Sequence, residues 1–185
     1  RDVVATAGLR AQQDRALRAS ARKWFWDEFI EPANRAVTQV EQWGVHASMA
    51  EMKRAVIEYS RLIEENEPRL RGVNPNSHKQ VLHYLFGPTS EGCLGLEPTE
   101  HKTDGGAPST KDEALLELYR KYDNSIDFIP ALMRGRGLIK LRSTYAEGFQ
   151  PFLRKDRRFH YSVNLDGTET GRMSARDPAC YTLPN

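Results

Sequence analysis

Through roughly the first 150 residues the apolar side chains recur every three to four positions, and only after Phe159 do they alternate. A period that switches from 3.6 to 2 restricts the chain to a helical body followed by a short strand-forming piece. The first helix is read over residues 8–30, with Leu9, Leu17, Ala21, Trp24, Phe25 and Phe29 along one face. Pro32 suits the first turn of a second helix, which Gly44 can close. Ser48 and Glu51 stand at capping-box spacing ahead of Met52, Val56, Tyr59 and Ile63, predicting a longer helix that ends or kinks near Pro68. A turn at Asn74–Ser77 opens a short helix through Phe86, stopped by Gly87-Pro88. After a polar, Gly-rich loop over 88–108, Thr110 and Glu113 offer a cap to a helix bearing Leu115, Leu116 and Leu118. A last helix spans 125–149, with Pro130 perturbing its first turns. His160–Leu165 then reads as a strand, Asp166-Gly167 as a hairpin turn, and the residues toward Ser174 as the returning strand. The expected class is mainly α with a short antiparallel β segment at the C-terminus, an α+β fold. A two-stranded ribbon is marginal alone, so the sheet is expected to continue in residues beyond this sequence.

Charge placement is more informative than bulk composition. The 185 residues carry a net charge of +2 and 39% apolar side chains, with a mean hydropathy of −0.66. No run approaches the roughly eighteen apolar residues of a membrane span, so no membrane partner is expected. Between residues 131 and 176, however, ten basic residues face four acidic ones, a surplus of six positive charges. A one-sided basic segment is the footprint of a polyanion binder. Cys93 and Cys180 lie far apart, with no CxxC and no histidine cluster nearby in sequence. They read as buried or incidental thiols of a reducing compartment rather than a disulfide or metal site.

Three short blocks carry candidate chemistry. Asn74, Asn76, Ser77 and Lys79, followed by Gln80, gather amides, a hydroxyl and an ammonium at a helix start, where outward N–H groups suit a phosphate. Arg136, Lys140 and Arg142, with Ser143 beside them, form a basic row that can track a phosphate backbone, Arg136 being the strongest candidate. Thr170-Gly171-Arg172-Met173-Ser174 places one arginine beside a glycine, where it can reach into a groove while another backbone approaches closely.

These blocks, with Gly105-Gly106-Ala107-Pro108-Ser109-Thr110 between them, occur in an order and spacing that resembles the family A DNA polymerases, the bacterial DNA polymerase I type. The family's thumb-tip pattern Asn-x-Ser-Ser-x-Lys-Gln is met by Asn74, Ser77, Lys79 and Gln80, with Asn76 in place of one serine. Its Arg-Gly-Leu-x-Lys-Leu-Lys-Ser-Thr-Tyr is met by Arg136–Tyr145 with Arg142 for lysine, and its Thr-Gly-Arg-Leu-Ser-Ser by residues 170–175 with Met173 for leucine and Ala175 for the second serine. The resemblance implies that the first block grips the duplex backbone. It implies too that Arg172 lies at the primer-terminal pair in the minor groove, where every Watson–Crick pair presents acceptors. Ala179 and Tyr181 depart from the family's Asp-Pro-Asn-Leu-Gln-Asn-Ile-Pro continuation and lack its amides. Arg10 stands where the family's proofreading exonuclease has a tyrosine, so no exonuclease site is read here.

On the resemblance, residues 1–30 form a helical lead-in, 31–150 a thumb, and 151–185 the incomplete beginning of a palm. The expected function is to grip primer–template DNA and position the primer 3′ end within a DNA-directed DNA polymerase of the cytoplasm. No catalytic residue or metal ligand is expected in this chain, and it is expected to be inactive alone. The complete enzyme would use Mg²⁺ held by carboxylates in the remaining palm and fingers, supplied by a separate chain or by a missing part of the same one. The alternative is a non-catalytic DNA-binding or clamp subunit derived from such a polymerase.

Overall fold

The computed structural model describes residues 2–20, 22–103, 105–165, 167, 170 and 172–180. Residue contacts divide the chain into two compact units, one of residues 1–47 with 152–185 and one of residues 48–151. No helix among the described residues is long and apolar enough to cross a membrane.

In the first unit, α1 (Asp2–Ala19) ends where Ser20 turns back on it. The Ser20 hydroxyl donates to the Leu17 carbonyl at 2.9 Å and its N–H reaches Ala16 and Leu17. The single helix expected over 8–30 is therefore interrupted, because a serine side chain competes for the carbonyls that would continue it. The helical path resumes in α2 (Lys23–Phe25), widens into a π-helical turn at Trp26–Ile30, and continues as α3 (Glu31–Trp43). Pro32 has no N–H to offer the Glu28 carbonyl, and the preceding turn opens so that the Glu31 N–H reaches Trp26 instead. Gly44 closes α3 at φ 62°, as expected from its place in the sequence.

Two antiparallel pairs complete this unit. β1 (Val45–His46) pairs with β2 (Arg158–Phe159), in the register Val45 opposite Phe159. This pair corrects the expectation that strands begin only after Phe159. Two residues are too few to show an alternation, and the contact spans more than a hundred positions. A Cβ on Gly44 would stand 2.5 Å from the Phe159 carbonyl oxygen, so a glycine is needed for the chain to pass there. β3 (Ser162–Asn164) pairs with β4 (Ser174–Arg176), matching the expected ribbon. Among the described residues the last paired ones are Asn164 and Ser174. Asp166 of the expected turn lies outside the described residues. The α3 end and the β strands are stitched by polar contacts. Glu41 accepts the Val163 N–H at 2.6 Å, and Arg158 donates to the Trp43 and Gly44 carbonyls at 3.1 and 3.3 Å.

The second unit holds the apolar core. α4 (Met49–Asn66) starts at Ser48, whose Oγ accepts the Glu51 N–H at 3.3 Å, and gives way to a 3-10 turn at Glu67–Leu70 beside Pro68. α5 (His78–Phe86), α6 (Asp112–Lys121) and α7 (Phe128–Lys140) follow, and a π-helical segment at Leu141–Glu147 extends α7. Leu70, Val81, Leu85, Leu115, Leu118, Ile129 and Leu132 meet in one cluster, at the i, i+3, i+4 spacings that their helices prescribe. Leu116 of the expected apolar set is exposed. Pro130 falls in the first turn of α7, where no N–H is required. Buried Asn66 ties α4 to α7 by donating Nδ2–H to the Ala131 carbonyl at 2.8 Å. α6 begins at Lys111 without a side-chain cap. Thr110, expected as the cap, lies one residue earlier, and its hydroxyl meets Arg136 and His78 instead.

Candidate nucleic-acid interface

The turn before α5 is built by its own side chains. Asn74 Oδ1 accepts the Asn76 N–H at 3.0 Å, and the Asn74 carbonyl accepts the Ser77 N–H at 3.0 Å. Gln80 Oε1 reaches back to the Asn74 N–H at 2.9 Å, while Ser77 Oγ accepts the Gln80 N–H at 3.4 Å. Asx and N-cap chemistry thus fix the backbone of residues 74–80. The N–H groups of His78 and Lys79, in the first turn, point out of the helix start. The Asn76 and Lys79 side chains beside them are exposed. A rigid turn with outward N–H groups and a nearby ammonium can take a phosphate.

Arg136, from the middle of α7, reaches under this turn. Its Nε–H donates to the Pro75 carbonyl at 2.7 Å, one Nη donates to the Thr110 carbonyl, and the other donates to Thr110 Oγ1 at 3.2 Å. His78 Nδ1 lies 2.9 Å from the same hydroxyl. Pro75, Ser109 and Thr110 are buried. Burial lowers the Arg136 pKa from its ordinary value, with the carboxylate of Asp112 opposing the shift. An arginine so far from its pKa remains charged throughout the working range. Three of its five N–H groups therefore serve the protein, and two remain for anything outside it. Residues 61 and 26 positions away in the chain are joined through one side chain. Pro75 and Thr110 were not singled out by sequence reasoning as anchors, and a proline carbonyl carries no signal that could have marked it.

The basic row divides beyond Arg136. Lys140 is exposed, one turn further on. Arg142 falls in the π-helical segment, where the changed pitch alters its facing. It is half-buried, with Nη1 3.5 Å from Ser60 Oγ on α4 and Nε 3.7 Å from Glu147 Oε1. Its buried Nε has no hydrogen-bond partner among the described residues. Ser143 is exposed and donates its hydroxyl to the Ile139 carbonyl at 2.8 Å. In the other unit Thr170 and Arg172 are exposed, Arg172 two residues ahead of β4. Gly171 and Tyr181 lie outside the described residues.

Cys93 is buried beside two groups that lie near it in space. His83 Nε2 lies 3.6 Å from buried Cys93 Sγ and 3.4 Å from Glu91 Oε2. Among the described residues this is the only group of three or more histidine, cysteine or acidic side chains placed to share an ion. Its sulfur and nitrogen donors do not suit Mg²⁺, which takes oxygen ligands in octahedral geometry. This trio thus does not fit a magnesium ion.

A model of DNA polymerase family A matches residues 45–185. The chain is 30% identical to the thermostable DNA polymerase I of Thermus thermophilus, over 87% of its own length and 19% of that protein's. It is 30% identical to DNA polymerase I of Bacillus subtilis, across its full length and 20% of the relative. The chain thus spans about a fifth of these relatives. Its fold is similar to the polymerase domain of Pol1 from M. smegmatis, solved in complex with DNA primer-template and dNTP. The TM-score is 0.77 at 24% identity, covering 93% of this chain and 30% of that one.

Proposed function

Since the chain belongs to DNA polymerase family A, we propose that it is the part of such an enzyme that holds primer–template duplex and positions the primer 3′ end. Residues 31–150 are then the thumb, 151–185 the beginning of the palm, and 1–30 the lead-in. The observation that carries this reading is the convergence on Arg136. Three blocks that resemble the family, 74–80, 105–110 and 136–145, are drawn together by its hydrogen bonds to Pro75 and Thr110. A fold has little reason to spend a half-buried cation on two backbone carbonyls unless the turn it braces must keep its shape.

In this reading Arg136 is chiefly a positioning residue. It holds the Asn74–Lys79 turn rigid, and its two remaining N–H groups can be shared with a phosphate. Asn74, Asn76, Ser77, Lys79, Lys140 and Ser143 contact the sugar–phosphate backbone, with Arg142 contributing mainly charge. Thr170 and Arg172 act at the primer-terminal pair. Magnesium and the carboxylates that hold it belong to the rest of a cytoplasmic enzyme, and this chain alone does not extend a primer.

Fluorescence anisotropy on a primer–template duplex, repeated over rising salt, tests the proposal. Affinity should fall steeply as salt rises, and Lys79→Ala or Lys140→Ala should each reduce the log–log slope by about 1. In the assembled enzyme Arg172→Ala should depress primer extension more than duplex affinity. Binding that is undetectable or indifferent to salt would overturn the reading. Binding that survives with no extension in the assembled enzyme would favour a non-catalytic clamp.

A further inference from the structure

We propose that His83, Glu91 and Cys93 form a binding site for a zinc-like divalent cation, independent of the reading given for the DNA surface. Both close contacts are made by one atom, His83 Nε2, which lies 3.6 Å from Cys93 Sγ and 3.4 Å from Glu91 Oε2. All three donor atoms lie within 4.8 Å of one another. Zinc bonds of about 2.3 Å to sulfur and about 2.0–2.2 Å to nitrogen and oxygen, at tetrahedral angles, give donor–donor edges of about 3.4–3.6 Å. The two edges at His83 already have those lengths.

The backbone fixes this arrangement. His83 sits in the last turn of α5, and its carbonyl accepts the Gly87 N–H at 2.7 Å. A 3-10 turn at Thr89–Glu91 presents the glutamate, held by the Glu91 N–H on the Pro88 carbonyl at 3.0 Å. The following residues run back along α5, with the Leu94 N–H on Tyr84 at 2.8 Å and the Leu96 N–H on Leu85 at 2.9 Å. Cys93 is thereby buried while His83 and Glu91 remain open to solvent. At Gly87 a Cβ would come within 2.9 Å of Cys93 Sγ and 3.2 Å of His83 Nδ1, so the absence of a side chain there keeps the two ligands close.

Imidazole, thiolate and carboxylate together select Zn²⁺ over Mg²⁺ or Ca²⁺. Three protein donors leave a fourth position for water. Binding converts the Cys93 thiol to a thiolate bonded to the metal and releases its proton to solvent. The ion would clip the end of α5 to the loop over residues 88–96.

Cobalt(II) is the probe. Added to the purified, reduced 185-residue chain without DNA, it should bind at one equivalent. It should give intense tetrahedral d–d bands and a thiolate-to-cobalt charge-transfer band, both removed by Zn²⁺. Cys93→Ser should abolish the charge-transfer band, and Cys180→Ser should keep it. His83→Ala and Glu91→Gln, both at exposed positions, should each weaken affinity at least about tenfold, the loss that even outer-shell partners of a metal produce. Saturating Zn²⁺ should also raise the thermal midpoint of the wild type by more than that of Glu91→Gln. Weak octahedral bands alone, a charge-transfer band that follows Cys180, or unchanged affinity in both exposed variants would overturn the proposal. Because no nucleic acid enters the assay, its outcome is separate from that of the duplex titration.

Discussion

The helices of the two units treat their apolar faces differently. In residues 48–151 the leucines and isoleucine of α5, α6 and α7 close on one another, and Leu132 is 0% exposed. In α1–α3 the same helical spacing leaves Trp24 62% and Phe29 55% exposed, touching mainly each other and Phe25. The other unit buries Phe159 and Tyr161 and adds polar stitching by Glu41, Arg158 and His160. Amphipathic periodicity says that a face is apolar. It does not say whether the chain supplies the surface that covers it.

Three measurements would break or sharpen that contrast. The largest effect belongs to the core. Leu132→Ala should lower unfolding stability by about 2–5 kcal/mol, and Trp24→Ala by no more than about 0.5 kcal/mol, in denaturant titrations of the two variants. Equal losses would mean that the aromatic face is covered after all. A smaller loss is expected at the chain crossing in the other unit. Gly44→Ala adds a Cβ 2.5 Å from the Phe159 carbonyl at φ 62°. It should destabilise by more than about 1 kcal/mol and speed amide exchange at Val45 and Phe159. Unaltered exchange would show that the pair tolerates a side chain.

The smallest effect is electrostatic. His160 Nε2 lies 2.7 Å from Asp156 Oδ2, and Nδ1 lies 2.9 Å from the Glu41 carbonyl oxygen. Two acceptors favour the doubly protonated ring, so Asp156 first and the Glu41 carbonyl second raise its pKa above 6.5. Hydrogen bonding to His160 in turn lowers the Asp156 pKa below 3.8. The stability contributed by His160 is fully present below pH 6.5 and lost as pH rises through its raised pKa. That from Asp156 is present above pH 3.8 and lost as pH falls through its lowered pKa. Asp156→Asn should move the His160 titration, followed by NMR, to lower pH. A titration that stays in place would remove Asp156 from this account.

The amino-acid sequence by itself determined the local structure. Ser48, Ser77 and Gly44 mark helix ends by interactions that reach no further than four residues, and each ends its helix as expected. The ribbon after Phe159 and the family motifs were equally legible, because period and motif are properties of consecutive residues. Tertiary structure decided everything that joins distant positions. It gave Arg136 the carbonyls of Pro75 and Thr110, turned Arg142 toward Ser60, and paired Val45 with Phe159. It also buried Cys93 and brought His83, ten residues away, beside it. The reason is physical. A backbone carbonyl, a loop's return path or a shared ligand geometry leaves no mark on residue spacing, and it exists only once the core has brought the segments together.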